Sequence, residues 1–133
     1  RINIPAPLRK QFSTKDKKTF VVTRGIDQCT WIYPISEWNF IQKELKQLSS
    51  LSKTNRTFLR NHLRHANILR FDSQGRFVLP QSLINYSSIK KDVTIIGVLN
   101  KIEIWNPNLL RKVDQSDEVD DQSYEELSER VNI

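Results

Sequence analysis

The sequence predicts a mixed α+β fold. Two copies of a short β-α-β-β unit interleave into one small barrel, with a helical insert between them and helices at the C-terminal end. Three observations predict it. First, a unit recurs. Asp72-Ser73-Gln74-Gly75-Arg76-Phe77-Val78-Leu79-Pro80-Gln81-Ser82-Leu83 reads as an acid–glycine turn, a buried strand and a proline that starts a helix. Arg1-Ile2-Asn3-Ile4-Pro5-Ala6-Pro7-Leu8 repeats its later part at an offset of 75. Second, Thr19-Phe20-Val21-Val22 and Val93-Thr94-Ile95-Ile96 are corresponding apolar runs, as are Trp31-Ile32-Tyr33-Pro34 and Ile104-Trp105-Asn106-Pro107. Third, these short strands leave no room for long βαβ crossovers, which favours a small mixed barrel. One unit is too small to hold a stable core alone, so the hairpins of the two units are expected to interleave.

The elements follow in order. Pro5 and Pro7 allow a short helix start, with Leu8 and Phe12 turned inward one turn apart. Residues 19–24 and 30–33 read as strands joined through Gly25-Ile26-Asp27, the place where the first copy carries two extra residues. Tyr33-Pro34 ends the sheet. Ser36 is expected to cap a helix whose inner face is Trp38, Ile41, Leu45 and Leu48. A second helix over 54–66 has an apolar stripe of Leu59, Leu63 and Ala66 beside a basic stripe of Arg56, Arg60 and Arg64. Residues 68–72 and 76–79 make strands around Ser73-Gln74-Gly75, and a short helix runs from Pro80 to Tyr86. Residues 93–99 and 102–105 form a hairpin across Asn100-Lys101. Asn106 caps the next helix with Pro107 at its first position. Residues 121–131 can form a last helix with Tyr124, Leu127 and Val131 inward and an acidic wet face.

Charge divides the chain. Residues 1–112 hold 20 Lys and Arg against 7 Asp and Glu, whereas residues 113–133 hold one Arg against 8 acids. A strongly basic body suggests a polyanionic partner. No run approaches about 18 apolar residues and no signal peptide is visible, so a soluble protein is expected. The single cysteine, Cys29, allows no intramolecular disulfide and reads as a small buried hydrophobe. There is no Met, and the chain opens in mid-motif, as a trimmed version of a longer protein would. An Asp-x-x-Gly before Arg1, and a strand before that, are expected to be missing.

No catalytic set is visible. His62 and His65 have no acid near them in sequence and read as packing or capping residues. The serines lack a Gly-x-Ser-x-Gly setting, and the three glycines make no phosphate loop. Neither a metal nor a cofactor is expected, and the chain is not read as an enzyme. The sharper feature is the turn. Gly75 can take a positive φ, while Asp72 can bond the backbone N–H groups of the turn or hold Arg76. Arg76 would then stand as a rigid fork suited to phosphate or to guanine O6 and N7. A purely structural Asp–Arg pair that pins the turn fits the same spacing.

With these residues in view, the sequence resembles the MraZ family, bacterial regulators built from two tandem SpoVT/AbrB-like domains. The marks are Arg1-Ile2-Asn3-Ile4-Pro5-Ala6-Pro7-Leu8-Arg9, then His65-Ala66 with Asp72-Ser73-Gln74-Gly75-Arg76-Phe77-Val78-Leu79-Pro80. Ile95-Ile96-Gly97-Val98-Leu99-Asn100-Lys101-Ile102-Glu103-Ile104-Trp105 looks like the family's second hairpin. The resemblance implies a swapped-hairpin barrel formed within one chain. It divides the sequence into a first repeat with its helix over 1–50, a basic helical connector over 51–67, a second repeat over 68–114 and an acidic helix over 115–133. It implies homo-oligomeric rings (an octamer or dodecamer), no membrane, and a place in the cytoplasm with the nucleoid. It also implies a repressor that binds direct repeats in double-stranded promoter DNA of a division and cell-wall gene cluster. The family's DNA-contacting arginine falls on Arg1, and by internal symmetry on Arg76. The first Asp-x-x-Gly is absent, so the turn of Arg1 cannot form as written.

On this reading Arg1 and Arg76 contact bases, while Arg9, Lys10, Lys15, Lys17 and Lys18 neutralise phosphates. Asp72 and Gly75 structure the turn. The rival reading is a non-catalytic assembly or protein-interaction scaffold, in which the acidic tail meets the basic body of a neighbour.

Overall fold

A computed structural model describes residues 1–10, 12, 18–116 and 119–131. In chain order the elements are β1 (Ile2–Asn3), α1 (Ala6–Arg9), β2 (Thr19–Arg24), β3 (Thr30–Pro34), α2 (Ile35–Leu45), α3 (Lys53–Arg64) and β4 (Asn67–Arg70). There follow β5 (Arg76–Phe77), α4 (Gln81–Ser87), β6 (Thr94–Val98), β7 (Lys101–Trp105), α5 (Pro107–Asp114) and α6 (Asp121–Arg130). The fold is mixed α+β, and the two halves do exchange strands. β1 runs antiparallel to β5 as a two-stranded ribbon, with Ile2 opposite Phe77 and Asn3 opposite Arg76. The other five strands form one antiparallel sheet in the order β4-β2-β3-β7-β6. The first hairpin therefore lies between two strands of the second half. Among the described residues no ladder joins the ribbon to the sheet.

The core follows from strand alternation. Phe20 and Val22 of β2 face one way, and Val21 and Thr23 the other. The first face meets Ile2, Ile4, Phe77, Leu79 and Leu83 beneath the ribbon, with Ile32, Ile102 and Ile104 from the sheet. Phe20 sits at the centre, stacked on Phe71 at 4.3 Å and edge-on to Phe77 at 4.9 Å between ring centroids. Leu8 and Phe12 pack on this cluster, as their one-turn spacing predicts. The second face is covered by α2 and α3, where Val21, Tyr33 and Trp38 form a smaller cluster with Trp31, Ile35, Ile41 and Ala66.

Polar contacts also join the halves. Thr30 Oγ1 and Ser87 Oγ share a buried hydrogen bond of 2.8 Å. Glu103 accepts the indole N–H of Trp31 on one oxygen and that of Trp105 on the other, both at 3.0 Å. The Tyr86 hydroxyl donates to the Gly25 carbonyl at 3.0 Å, with the Arg24 guanidinium 4.4 Å above its ring.

Proline starts the helices. Pro5, Pro34 and Pro80 are the N-caps of α1, α2 and α4, each at φ between −53° and −56° and without a side-chain cap bond. The expected cap Ser36 thus lies inside the first turn of α2. Pro34 presets the helical φ and has no N–H to satisfy, so the helix starts earlier. Asn106 caps α5 as expected, accepting from the Asn108 N–H at 2.8 Å with Pro107 next to it.

One expectation about an inward face fails, and the apolar stripe of α3 is covered only in part, with Ala66 packed on the core. In α3 the buried residue is His62, while Leu63 is 43% exposed. The His62 ring stacks on Phe58 at 5.4 Å and neighbours Trp38 at 5.8 Å and Trp31 at 6.0 Å, and this aromatic setting turns the helix. In α6 no residue is buried, so Tyr124, Leu127 and Val131 face outward. No described helix is long and apolar enough to cross a membrane.

Candidate nucleic-acid interface

The ribbon sets the geometry. Ile2 and Phe77 point into the core, so by alternation Arg1, Asn3, Arg76 and Val78 share its outer face. Arg76 lies opposite Asn3, and Arg1 continues the register opposite Val78. The two arginines are therefore set about 7 Å apart along the ribbon, two residue steps. A two-stranded ribbon has the width to enter a major groove.

The turn that presents Arg76 is fixed by Asp72. One carboxylate oxygen accepts the N–H groups of Gln74 at 2.8 Å and Arg76 at 2.9 Å. The other accepts the Arg76 Nε–H at 3.0 Å. The backbone closes the same loop: Gly75 N–H donates to the Asp72 carbonyl at 3.1 Å, and Asp72 N–H to the Arg76 carbonyl at 2.8 Å. The Arg76 N–H, followed by that of Gln74 and the Arg76 side chain, holds the Asp72 carboxyl below its ordinary range, against an opposing pull from partial burial. The ion pair stays more than a third exposed, so the remaining donors of Arg76 are open to a ligand.

Gly75 permits the bend at φ 76°. Its carbonyl accepts the Ile4 N–H at 3.3 Å, which ties the turn to the ribbon. Arg9 packs over it: a Cβ on Gly75 would overlap the Arg9 guanidinium. The Nε of Arg9 is buried there without a partner.

The structure brings part of the expected set together. Arg9 and Arg76 meet at the Asp72 turn. Lys18 borders it, its carbonyl accepting the Phe71 N–H at 3.1 Å. Lys10 is exposed at the end of α1. Lys15 and Lys17 lie outside the described residues. Arg1 is exposed at the other end of the ribbon, beside a groove of about 160 Å3 that it lines with Val78, Ile89, Lys90 and Lys91. Lys90 and Lys91, both exposed, are absent from the sequence-derived set. The repeat could have found one of them, since Lys91 matches Lys17 at the offset of 74 that relates Thr19 to Val93. Each end of the ribbon thus carries an arginine and basic residues from the opposite half.

Among the described residues no group of three or more His, Cys, Asp and Glu is placed to hold a metal ion. Cys29 is a buried free thiol, pushed up to about 12 by burial first and by Glu103 second.

Comparison with known proteins agrees with the doubled architecture. The profile of the family described as "MraZ protein, putative antitoxin-like" matches twice, over residues 1–61 and 62–131. Across 132 residues the chain is 36% identical to a transcriptional regulator MraZ of Clostridium tetani, covering 99% of this chain and 87% of the relative. It is 40% identical over 128 residues to that of Halothermothrix orenii, covering 96% and 85%. It is 34% identical over 131 residues to that of Pediococcus pentosaceus, covering 98% and 87%.

Proposed function

The chain belongs to the MraZ family, with two tandem MraZ/AbrB-like units, and from that premise we propose that it is a transcriptional regulator that binds promoter DNA through the outer face of the β1–β5 ribbon. The relatives it matches are transcriptional regulators, and the family is one of regulators rather than enzymes. The observation that carries the reading is the alignment of Arg1 and Arg76 on one exposed ribbon face, with Arg76 held by Asp72.

Exposure and bonding support a division of labour among the described residues. Arg76 and Arg1 contact base edges in the major groove. Arg9, Lys10, Lys18, Lys90 and Lys91 neutralise phosphates, joined by Lys15 and Lys17. Ribbon and sheet act as the two parts of one swapped-hairpin barrel, a rigid support for those side chains. Copies join in a ring, so that several ribbons meet direct repeats at once. Tandem contacts then raise the effective concentration where one ribbon alone binds weakly. The DNA is the promoter of a division and cell-wall gene cluster, and the outcome is repression.

Gel shifts on tandem-box promoter DNA test this. Arg76→Ala and Arg1→Ala are expected to weaken specific binding by about tenfold to a hundredfold each, the range for losing one good bidentate base contact. Both are expected to leave the oligomer intact. Undiminished specific binding by the double variant rejects the assignment. Affinity for random DNA should fall steeply as salt rises, whereas a pure scaffold would show little binding at any salt.

A further inference from the structure

α6 displays two stripes that the described residues of its own chain leave open. Tyr124, Leu127 and Val131 share one face and are 69%, 54% and 54% exposed. Asp121, Glu125 and Glu129 run beside them at intervals of four, all exposed. α3 carries the opposite charge in the same layout. Leu59 and Leu63 border a groove of about 210 Å3 against Leu45 and Lys46 of the α2 side. Arg56, Arg60 and Arg64 run beside that apolar edge, also at intervals of four and exposed. Among the described residues these arginines meet no acid: Arg56 donates to the Ser50 carbonyl at 2.8 Å and Arg64 to the Asn61 side chain at 3.2 Å.

We propose that α6 of one copy docks antiparallel on the α2–α3 face of a second copy. The direction follows from handedness. Going round each helix in the same sense, the charged stripe follows the apolar one: Arg60 comes after Leu59 as Glu125 comes after Tyr124. Two helices with flanks of the same hand bring those flanks together only when they run antiparallel. That arrangement sets Arg56, Arg60 and Arg64 opposite Glu129, Glu125 and Asp121. It also places Tyr124 and Leu127 over the Leu59–Leu63 groove, with Lys46 adding positive charge at its rim.

A second copy is the occupant because the described residues of one chain leave both faces open and the two faces carry opposite charge. The like charges within each stripe repel at spacing four until the other stripe meets them. The contact is heterologous, since each copy gives an α6 and receives one. Repetition therefore builds a ring or an open array. The inference rests on the reading that copies assemble, and it names the segment that joins them.

Charge exchange in the full-length chain tests it. One variant is Arg56→Glu with Arg60→Glu; the other is Glu125→Arg with Glu129→Arg. Arg56 lies near the start of α3 and Glu129 near the end of α6, so these changes suit the helix dipoles and folding is retained, with circular dichroism as the check. Sedimentation velocity then reads the mass across a concentration series. Each variant alone is expected to need roughly tenfold or more protein to assemble, from several like-charge contacts replacing exposed pairs. An equimolar mixture is expected to assemble as the unaltered protein does, because every interface in an alternating array again joins opposite charges. Docking of α6 within its own chain gives no rescue on mixing and rescue only when all four changes share one chain. That result overturns the proposal, as does unchanged assembly by both variants. An α3 variant that keeps its mass but loses DNA assigns the stripe to DNA instead and also overturns it. If the unaltered protein is monomeric at every concentration, the assembly reading itself fails. DNA binding by the equimolar mixture, which restores assembly with the ribbon and the mean charge unchanged, reports separately on the ribbon.

Discussion

At the scale of single residues, His62 shows how an aromatic setting changes what a side chain does. Its ring lies nearly parallel to that of Phe58 and is walled by Trp31, Tyr33 and Trp38. Thr23 Oγ1 donates to its backbone carbonyl, so β2 holds the helix at that point. Burial lowers the imidazole pKa below its ordinary value, while a hydrogen bond with the Arg24 backbone opposes the shift. The sign of the pH effect follows. A group whose folded pKa is depressed stabilises fully above its unfolded pKa, here about 6.5, and that contribution is lost as pH falls through the folded pKa. Urea unfolding should therefore show stability falling on acidification below about pH 6.5, with a slope up to about 1.4 kcal/mol per pH unit from this one proton. His62→Phe should flatten that slope above the carboxylate range, while His65→Asn should leave most of it. His65 is also lowered, by modest burial and by Arg24 and Arg64. An unchanged slope in His62→Phe would show that the buried imidazole is not its source.

At the scale of the element, the Asp72 turn couples a backbone bend to two guanidinium groups. A side chain on Gly75 must accept φ 76° and push Arg9 off the turn. Gly75→Ala should then cost about 1 kcal/mol in stability from the left-handed backbone alone. Its effect on DNA affinity should be larger, because Arg9 and the presentation of Arg76 are disturbed together. Thermal melts and gel shifts on one preparation would show it. Affinity retained alongside a lowered melting temperature would mean that the Arg9 placement is dispensable. This turn was legible in the sequence because Asp-x-x-Gly-Arg is local: donor, acceptor and bend lie within five residues. The proline-started helices were legible for the same reason. The rotation of α3 was not, since hydropathy spacing favours Leu59 and Leu63, while the aromatic box that takes His62 comes from β3 and α2 as well. Nor was the exposed face of α6, because an amphipathic pattern names a face to cover but not the chain that covers it. Lys90 and Lys91 were hidden for the most part: their place beside Arg1 depends on strand exchange, and the repeat offset points only to Lys91.

At the scale of the whole molecule, interleaving removes the independence of the two halves. Phe20 belongs to the first half, yet Phe71 and Phe77, which it stacks on and meets edge-on, belong to the second. β2 and β3 each pair with a strand from the other half, and among the described residues β1 pairs only with β5. Neither hairpin can leave without opening the apolar cluster that both share. A sequence repeat would ordinarily suggest two domains that melt separately; strand exchange instead requires a single cooperative unit. Phe20→Ala tests this, because the cavity it leaves lies between the halves. It should cost about 3–5 kcal/mol, the range for deleting a buried aromatic ring. Signals from both halves should shift together along the denaturant axis. Tryptophan fluorescence of Trp31 and Trp38, read in a Trp105→Phe background, can be compared with amide exchange at Leu83 and Ile104 in the second half. Coincident midpoints that move by the same amount are expected. If the substitution lowered only the first-half signals and left Leu83 and Ile104 protected, the halves would be separable. The ribbon arginines could then not be held in fixed register across them.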